Sequence, residues 1–578
     1  MASTQQIGSG ENVVISESIV APIGEPAVDI IGDNANITVN GNGSVAAPDE
    51  GNTGILSTGN GVAILNGGDI SGAFNGISSL GDDFSLRNNG GGTISSDSRA
   101  VDLTDGDNLT VDNSGDILGT GDQRNGTLYV DGTVDNLDLT NLGSGLIDAG
   151  VGNSGDGVSV QVGAEGDLSN DSINITNRGT IAGRGQAEFA PGEGRLTANG
   201  SSGVRFFNGS GAEQADVSGE FTNTGSITAE VNVGFLGGFV VEDGVGYDGT
   251  ISNSGLISGP RNGLYIGNAD HELTIENEGN GRIESGSRAL NLDGDNVTVN
   301  NRGSIVGTGD QRNGTLYVDG TGDNIAINNL GRGVIDAGEG NSGSGVSIQV
   351  GTAGGLSDGS DDTETSVDVV NNSIIQGRGT ENVPAGLRLF VGSGLDASTF
   401  TGDITNGRNG LIASEQDAGI LIEEGITFNG EINNEGTIQG GNGLAINAAG
   451  ALGDISLTNS AQGNLEGAVV LGEGNDTLLN NSSDDLNITG GGGDDTLTGG
   501  AGVNIYDFAL SSGQDTITDF QTSQDVLDLG AFFSDATEVL GVTTQVGSDA
   551  FIDLGSDNSL TLANLDAGAL TADNFAFG

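Results

Sequence analysis

A short motif recurs through most of this chain and restricts its fold more than any other feature. The motif is a β-branched strand, an asparagine, one or two small residues, a glycine and a second strand that contains isoleucine. Examples are LTVDNSGDILG (109–119), INITNRGTIAG (173–183), TISNSGLISG (250–259) and VTVNNRGSIVG (297–307). The commonest spacing between copies is about 24–28 residues. Repeats of this length, without helical halves, are typical of solenoids built from strands.

A longer repeat is superimposed on the short one. The segment GTGDQRNGTLYVDG occurs at 119–132 and again, without any change, at 307–320. Similarity on both sides of it defines one copy of roughly 185 residues at about 68–254, a second at about 255–435 and a partial third that begins near 436. Exact repetition of this kind is the expected result of duplication, and it does not by itself indicate function.

The short motif predicts how the strands are arranged. Short strands with alternating apolar positions need one buried face, and Gly and Asn supply the positive-φ corners between them. Three such strands make a rung, which buries its apolar side chains only by stacking on another rung. The sequence therefore predicts an all-β protein, a long right-handed parallel β-helix that ends in a short β-roll and a C-terminal β cap. Asparagine at the same corner of every rung predicts a stacked amide ladder.

The composition excludes several classes of protein. With 80 acidic and 16 basic residues the formal net charge is −64, which excludes nucleic-acid binding by phosphate neutralisation and docking on anionic lipid. Without cysteine there is no disulfide or thiolate–metal site. No apolar run is long enough for membrane insertion, and the first residues, MASTQQIGSG, do not have the pattern of a signal peptide. The acidity favours solubility in saline water, cation binding, or both.

The composition changes near residue 472, where regularly spaced acids replace the asparagine motif. Four polar residues follow one another at intervals of 9, 10 and 9 residues: Asp476, Asp485, Asp495 and Asn504. Residues 490–498 fit the nonapeptide G-G-x-G-x-D-x-U-x, in which six residues turn around a calcium ion and three form a strand. We expect one or two calcium sites centred on Asp476 and Asp495, and a weaker turn at Asp485, where serines replace the glycines.

Residues 472–578 resemble the C-terminal ends of RTX proteins, which are exported by type I secretion systems. The match includes GQDTITDF at 513–520, DVLDLGAFF at 525–533 and the terminal DNFAFG at 573–578. The rod is similar in style to the Asn/Gly repeat regions of secreted bacterial surface proteins. The resemblance implies an extracellular or cell-surface protein that carries an uncleaved export signal near its C-terminus and meets the type I secretion machinery.

The resemblance also implies that the acids of the GQDTITDF stretch ligate calcium. The complete set of predicted metal-binding residues is Gly472, Gly474, Asp476, Asp485, Gly491, Gly493, Asp495, Asn504, Asp515 and Asp519. The predicted segments are an N-terminal lead that can pair as a strand (1–27), the β-helix (28–471), the RTX calcium-binding β-roll (472–510), and the cap with the secretion signal (511–578).

No catalytic residue is predicted. His271 is the only histidine and lysine is absent, so the inventory of a polysaccharide lyase or epimerase is incomplete. We expect His271 to lie in a solvated corner. Tyr129 and Tyr317 occupy the same strand position in the two copies, which is typical of a structural role.

Two further groups of residues have alternative interpretations. Arg124 and Arg312, in the identical GDQRNG loops, contact either an anionic glycan or a neighbouring subunit, or else form surface ion pairs with Asp122 and Asp310. The aspartates of the GDN corners either bind calcium or cap turns; they are Asp33, Asp107, Asp295 and Asp323.

Together these features predict a secreted structural protein rather than an enzyme. It would bind calcium and assemble with copies of itself, through calcium-bridged contacts, into an extracellular layer, fibre or matrix such as an S-layer or a biofilm matrix. The alternative is an adhesin that binds a cell-surface or matrix polysaccharide, and a lyase or epimerase is the least favoured function.

Overall fold

The structure is a computed structural model of the 578-residue chain, and it describes residues 4–121, 126–150, 155–163, 169–170, 172–184, 202–209, 214–230, 237–310, 314–353 and 363–578. The chain divides into two compact units, Met1–Val297 and Thr298–Gly578. Each unit is built from parallel strands stacked rung upon rung, which confirms the predicted parallel β-helix. No helix in the described part of the chain is long and apolar enough to span a membrane.

In unit 1 the rungs contribute strands to three parallel stacks, one strand to each except where Ser169–Asn170 and Ile173–Asn177 lie in the same rung of the first stack. The first stack consists of Asn12–Ile15, Asn36–Val39, Ala63–Asn66, Ser85–Asn88, Leu109–Asn113, Leu137–Asn141, Ser169–Asn170, Ile173–Asn177, Ala215–Asn223, Val245–Asn253 and Asp270–Asn277. The second stack consists of Ser18–Val20, Ser44–Ala47, Asp69–Gly72, Thr93–Ser96, Asp116–Gly119, Leu146–Asp148, Thr180–Gly183, Ser226–Ala229, Leu256–Gly259 and Arg282–Ser285. The third stack consists of Gln5–Ile7, Val28–Ile30, Ile55–Ser57, Asn75–Ser79, Arg99–Leu103, Gly126–Val130, Asp156–Val162, Val204–Asn208, Gly237–Val241, Asn262–Ile266 and Arg288–Leu292.

Unit 2 starts with the same three-strand rungs. Its first stack contains Asp295–Asn301, which begins just before the unit, Ile325–Asn329, Glu364–Asn371, Ile404–Asn406, Glu431–Asn434 and Ser456–Asn459, flanked by Ser398–Thr401 and Ile426–Asn429. The second stack contains Ser304–Gly307, Val334–Asp336, Ile374–Gly377 and Leu411–Ser414, and the third contains Gly314–Val318, Ser344–Val350, Leu387–Val391 and Ile420–Ile422. The long strands Thr437–Asn447 and Asn464–Val470 then continue the second and third stacks together.

The following turns have two strands instead of three. One side is formed by Thr477–Asn480, Thr496–Thr498 and Gln514–Ile517, and the other by Asn487–Thr489, Ile505–Asp507, Val526–Asp528 and Phe575–Ala576. Thr477, Thr496 and Thr516 pair in register, so successive turns are 19 and 20 residues long. Each turn therefore takes up two of the nine- or ten-residue intervals seen in the sequence, as in a β-roll.

The C-terminal cap is a small mixed element at the end of the two-strand turns. It has one helix, Ala536–Val542, an antiparallel meander of Thr543–Val546, Asp549–Gly555 and Asn558–Leu562, and the short 3₁₀ helices Ala567–Ala569 and Ala572–Asn574. The last meander strand joins the two-strand turns through parallel pairing with Gln514–Ile517. Phe508 and Phe520 are buried in the two-strand turns themselves rather than in the cap.

The corners between strands show why asparagine, aspartate and glycine recur there. At one corner of unit 1, Asn34, Asp83, Asn108 and Asn136 all have a φ between 55° and 57°. In this left-handed region a β-carbon is crowded by the next carbonyl, and the short amide and carboxylate side chains tolerate it better than other residues do. Gly61 occupies the same corner on an intervening rung, with a φ of 67°.

A ladder of buried asparagines runs along the end of the first stack. Up to the last asparagine of each unit, the side-chain Nδ2 donates to the Oδ1 of the asparagine one rung further along, at 2.7–2.9 Å. Its members in unit 1 are Asn66, Asn88, Asn113, Asn141, Asn177, Asn223, Asn253 and Asn277, and in unit 2 Asn301, Asn329, Asn371, Asn406, Asn434, Asn459 and Asn480. The predicted amide ladder is thus confirmed, and its members are at most 1% exposed.

Candidate calcium-binding site in the C-terminal turns

Three aspartates form a buried column at the start of the strands on one side of the two-strand turns. Asp495 Oδ1 accepts a hydrogen bond from the backbone N–H of Asp476 at 2.8 Å, and Asp515 Oδ1 accepts one from the N–H of Asp495 at 3.0 Å. Asp476 Oδ1 accepts from Ile455 N–H at 2.7 Å in the same way. Each of the three aspartates is 1% exposed. The column follows from the register of the turns, which places equivalent carboxylates above one another.

The second oxygens of these carboxylates differ in their partners. Asp476 Oδ2 accepts a hydrogen bond from Gly472 N–H at 2.8 Å. Asp495 Oδ2 is buried and accepts no hydrogen bond. Asp515 Oδ2 is also buried without a hydrogen bond of normal geometry, although the nearby Ser512 hydroxyl acts to lower the pKa of Asp515. Leaving a buried acceptor unpaired is costly, so these two oxygens are the points where the column lacks a partner.

The column is difficult to ionise as it stands. Burial raises the pKa of Asp476 and of Asp515 to about 7 and that of Asp495 to about 6, against the backbone hydrogen bonds that stabilise the charged forms. Neighbouring carboxylates raise these pKa values further, Asp495 acting on Asp476 and on Asp515. Residues 409–578 contain 26 aspartates and glutamates and no arginine or lysine. No basic side chain in this part of the sequence is available to compensate the charge.

The other predicted ligands lie outside this column. Asp485 is exposed, and its Oδ1 accepts a hydrogen bond from Val503 N–H at 2.7 Å. The buried Asn504 donates its backbone N–H to Asp525 Oδ1 at 3.0 Å, so these residues form a second column on the opposite side of the turns. Asp519 lies outside both columns, and its two carboxylate oxygens accept hydrogen bonds from the backbone N–H groups of Gly499 and Gly500. Asp525, which the sequence analysis missed, lies 21 residues after Asn504.

The predicted glycines make close packing of the turns possible. Gly491 and Gly493 have φ values of 100° and 105°. A β-carbon on Gly491 would lie 1.8 Å from the carbonyl oxygen of Gly472, and one on Gly493 would lie 2.1 Å from that of Gly474. These glycines are therefore required for the turns to stack, whether or not their carbonyl groups bind an ion.

The donor set fits calcium in part. Oxygen donors are those that calcium prefers, and a cation beside Asp495 and Asp515 would supply the charge that the two unpaired oxygens lack. Asp476 fits less well, because both of its oxygens already accept amide hydrogen bonds. No three acidic or histidine side chains among the described residues converge into a metal-binding cluster.

The remaining candidates from the sequence have structural partners or lie outside the described residues. Arg124 and Arg312 fall outside them. Asp33 Oδ1 accepts from Asn60 N–H at 3.0 Å and Asp323 Oδ1 accepts from Ser366 N–H at 2.9 Å, which are turn-capping contacts. Tyr129 and Tyr317 are both buried, and their hydroxyls make equivalent bonds of 2.7 and 2.8 Å to Gln161 and Gln349.

The prediction for His271 was wrong, because this histidine is 2% exposed rather than solvated. Its ring joins two backbone groups: Nδ1 accepts from Tyr247 N–H at 3.1 Å, and Nε2 lies 3.0 Å from the carbonyl oxygen of Gly267. Burial lowers the pKa of His271. The ring is therefore neutral in the fold, and its protonation would oppose folding below the ordinary histidine pKa of about 6.5.

Asp156 has the opposite effect from His271 on how the stability of unit 1 depends on pH. Its side chain is fully buried, accepts from the Ser159 hydroxyl at 2.6 Å and lies 3.6 Å from the Arg205 guanidinium. Burial raises its pKa to about 6, so the folded state holds a proton that the unfolded chain releases, and stability falls as the pH rises from about 4 to about 6. Ser344 occupies the equivalent position in the second copy of the long repeat.

Replacing Asp156 with serine therefore gives a variant that the fold already accommodates in its second copy. The difference in the free energy of unfolding, D156S minus wild type, is expected to increase by about 2 kcal/mol between pH 4.5 and pH 7.5. Urea denaturation of both proteins across this range measures it, and His271 cancels from the comparison. A difference that does not change with pH would contradict the raised pKa of Asp156.

Comparisons with known proteins add no relative from which a function can be transferred. No protein-family model matches the chain, and no curated protein has a similar sequence.

Proposed function

We propose that the protein is a secreted structural protein that binds calcium through its C-terminal turns and assembles with copies of itself outside the cell. The observation that carries the proposal is the buried aspartate column, in which Asp495 and Asp515 each present an unpaired oxygen in a part of the sequence without basic residues. Such a column is unfavourable without a cation and becomes favourable when one binds. Calcium is abundant outside cells, where modules of this kind bind it with Kd values of ~10⁻⁴–10⁻³ M.

The first rung supports the self-assembly part of the proposal. Its three strands, Gln5–Ile7, Asn12–Ile15 and Ser18–Val20, each pair with one neighbouring strand only among the described residues. Val14, Val20, Ile23 and Ile31, on this rung and the next, are between 45% and 86% exposed. An unpaired strand edge with exposed apolar side chains favours pairing with another chain.

The charge of the molecule explains why calcium would control assembly. At a net charge of −64, two copies repel each other, and monovalent salt only screens this repulsion. A divalent ion neutralises carboxylates directly and bridges those of adjacent copies. Export by a type I secretion system, which the RTX resemblance implies, would deliver the chain to calcium only after it has left the cell.

Sedimentation velocity and negative-stain microscopy with and without calcium test the proposal. We expect a monomer in chelator and an ordered polymer at millimolar calcium, whereas sodium chloride of equal ionic strength leaves the monomer. In chelator, hydrogen exchange should increase after residue 471, while the rungs that carry the asparagine ladder up to Asn459 remain protected. A monomer at every calcium concentration would reject self-assembly and favour the adhesin.

A pair of substitutions tests whether the first rung is the assembly surface. Val14→Asp places a charge at the exposed position of Asn12–Ile15, and we expect it to prevent polymer formation. Leu65→Asp makes the same change two rungs further along the same column, and it is expected to leave assembly intact. Equal effects of the two substitutions would show that added charge alone is responsible.

A further inference from the structure

A polar pocket opens on the outer face of the first stack in unit 1. Its volume is about 260 Å³, and it is lined by Asn108, Leu109, Thr110, Asn136, Asp138, Ser172 and Asn174. All of these except Leu109 carry a hydrogen-bonding side chain, and none is basic or aromatic. We propose that this pocket binds one residue of a neutral saccharide.

The outward side chains of the pocket come from three successive rungs. Thr110, Asp138 and Asn174 pair in register, so they form a column with a spacing of about 4.8 Å. Asn108 and Asn136 stand at the corner before the first two strands, where their φ values of 57° and 55° turn the chain. At the third rung this corner is replaced by an extension, since Ser169–Asn170 pairs with the start of Ala215–Asn223. The pocket lies where the rungs with the left-handed corner meet the rung with the extension.

Hydrogen bonds fix one carboxylate within the pocket. Asn174 Oδ1 accepts from Glu220 N–H at 3.0 Å, which sets the direction of its amide. Its Nδ2 then donates to Asp138 Oδ1 and to the Ser172 hydroxyl, both at 3.0 Å. Asp138 is therefore fixed by a hydrogen bond to its Oδ1, and its Oδ2 can accept a hydrogen bond from a ligand. The exposed Thr110 hydroxyl can both donate and accept a hydrogen bond, and the Asn136 side chain adds a second amide.

This arrangement matches the chemistry of a sugar ring better than that of other small ligands. Hydroxyl groups a few ångströms apart both donate and accept, so they can bond to a carboxylate, an amide and a hydroxyl at once. The carboxylate of Asp138 and the strong negative charge of the chain oppose anionic ligands, including uronic acids. A single carboxylate is too few for a calcium site, so the pocket does not depend on the proposed calcium function.

The second copy of the long repeat supplies a variant that should keep the fold. Ala326 occupies the position equivalent to Asp138, in the strand Ile325–Asn329. Asp138→Ala therefore removes the carboxylate from a strand position that accepts alanine elsewhere in the chain. Thr110→Val removes only a hydroxyl, and Thr140→Val makes the same change on the same face outside the pocket.

Saturation-transfer NMR and titration calorimetry with the methyl glycosides of glucose, galactose and mannose test the proposal. The measurements are made in chelator, so that loss of calcium-dependent assembly does not affect them. At least one glycoside should bind to wild type and to T140V, about ten-fold more weakly to D138A, and measurably more weakly to T110V. The methyl glucuronide, which differs from the glucoside by its charge, should not bind. Absence of binding by all three glycosides, equal binding to D138A, or equal binding of the glucuronide would overturn the proposal.

Discussion

Asp495→Asn is expected to stabilise the C-terminal turns in chelator and to remove their stabilisation by calcium. The carboxyl group of Asp495 is buried, and its pKa is raised to about 6. In the absence of an ion, replacing it with a neutral amide is expected to increase the free energy of unfolding by up to about 3 kcal/mol at pH 8. The asparagine keeps an Oδ1 that accepts from Asp476 N–H. Asn504 shows how the amide can be satisfied, because its Nδ2 donates to the carbonyl oxygen of Gly502, two residues earlier.

In calcium the two proteins are expected to become about equally stable. A ligand at about 100 times its Kd stabilises the wild type by about 2.7 kcal/mol, and the variant lacks the carboxylate needed for this gain. Hydrogen–deuterium exchange of peptides between residues 472 and 529 measures both effects locally. Asp485→Asn, at an exposed position, is the matched control and should change protection little in either condition. If D495N destabilises equally with and without calcium, Asp495 is a structural cap rather than a ligand.

Asn434→Ala is expected to destabilise unit 2 by about 2–4 kcal/mol. Asn434 accepts from Asn406 Nδ2 at 2.8 Å and donates to Asn459 Oδ1 at 2.7 Å, and its Nδ2 also lies 3.2 Å from the carbonyl oxygen of Gly436. Alanine leaves buried donors and acceptors on both adjacent rungs without these partners, and each costs about 1–3 kcal/mol. Chemical denaturation in chelator, followed by far-UV circular dichroism, measures the loss.

The adjacent residue provides the control. Asn433 is on the same strand but faces outward, where its amide reaches Glu431 at 3.3 Å in an exposed pair. Asn433→Ala is expected to change the free energy of unfolding by less than about 0.5 kcal/mol. Equal costs at Asn433 and Asn434 would mean that the strand propensity of asparagine, rather than the ladder, determines stability.

The repeating part of the fold could be predicted because it depends on local sequence. Most rungs carry their own β-branched strands, and many carry a left-handed corner and a ladder asparagine, so the motif alone indicates the stacking. The rung length was harder to predict: ladder neighbours are 28 residues apart at Asn113 and Asn141, but 46 apart at Asn177 and Asn223. Insertions between strands lengthen the sequence without adding a rung.

The features that escaped sequence analysis depend on residues from different rungs. The ring of the buried His271 contacts the backbone N–H of Tyr247 and the carbonyl oxygen of Gly267, and no sequence pattern indicates these contacts. The saccharide pocket requires a step in strand length between neighbouring rungs. In the C-terminal turns the spacing identified the aspartates, but which carboxylate oxygens accept amide hydrogen bonds depends on the packing of each turn on the next.

The asparagine ladder also has a direction, because within each unit every Nδ2 points toward the rung that follows in the chain. Backbone groups hold this orientation at several rungs, as at Asn223, whose Oδ1 accepts from Gly225 N–H while its Nδ2 reaches the carbonyl oxygen of Leu256. The row behaves like a one-dimensional ferroelectric, in which the amide dipoles are aligned and each fixes the sense of the next. One amide flipped by 180° would oppose donor to donor on one side and acceptor to acceptor on the other. Each new rung that joins a row therefore takes the orientation that avoids such a fault and inherits the polarity of the row.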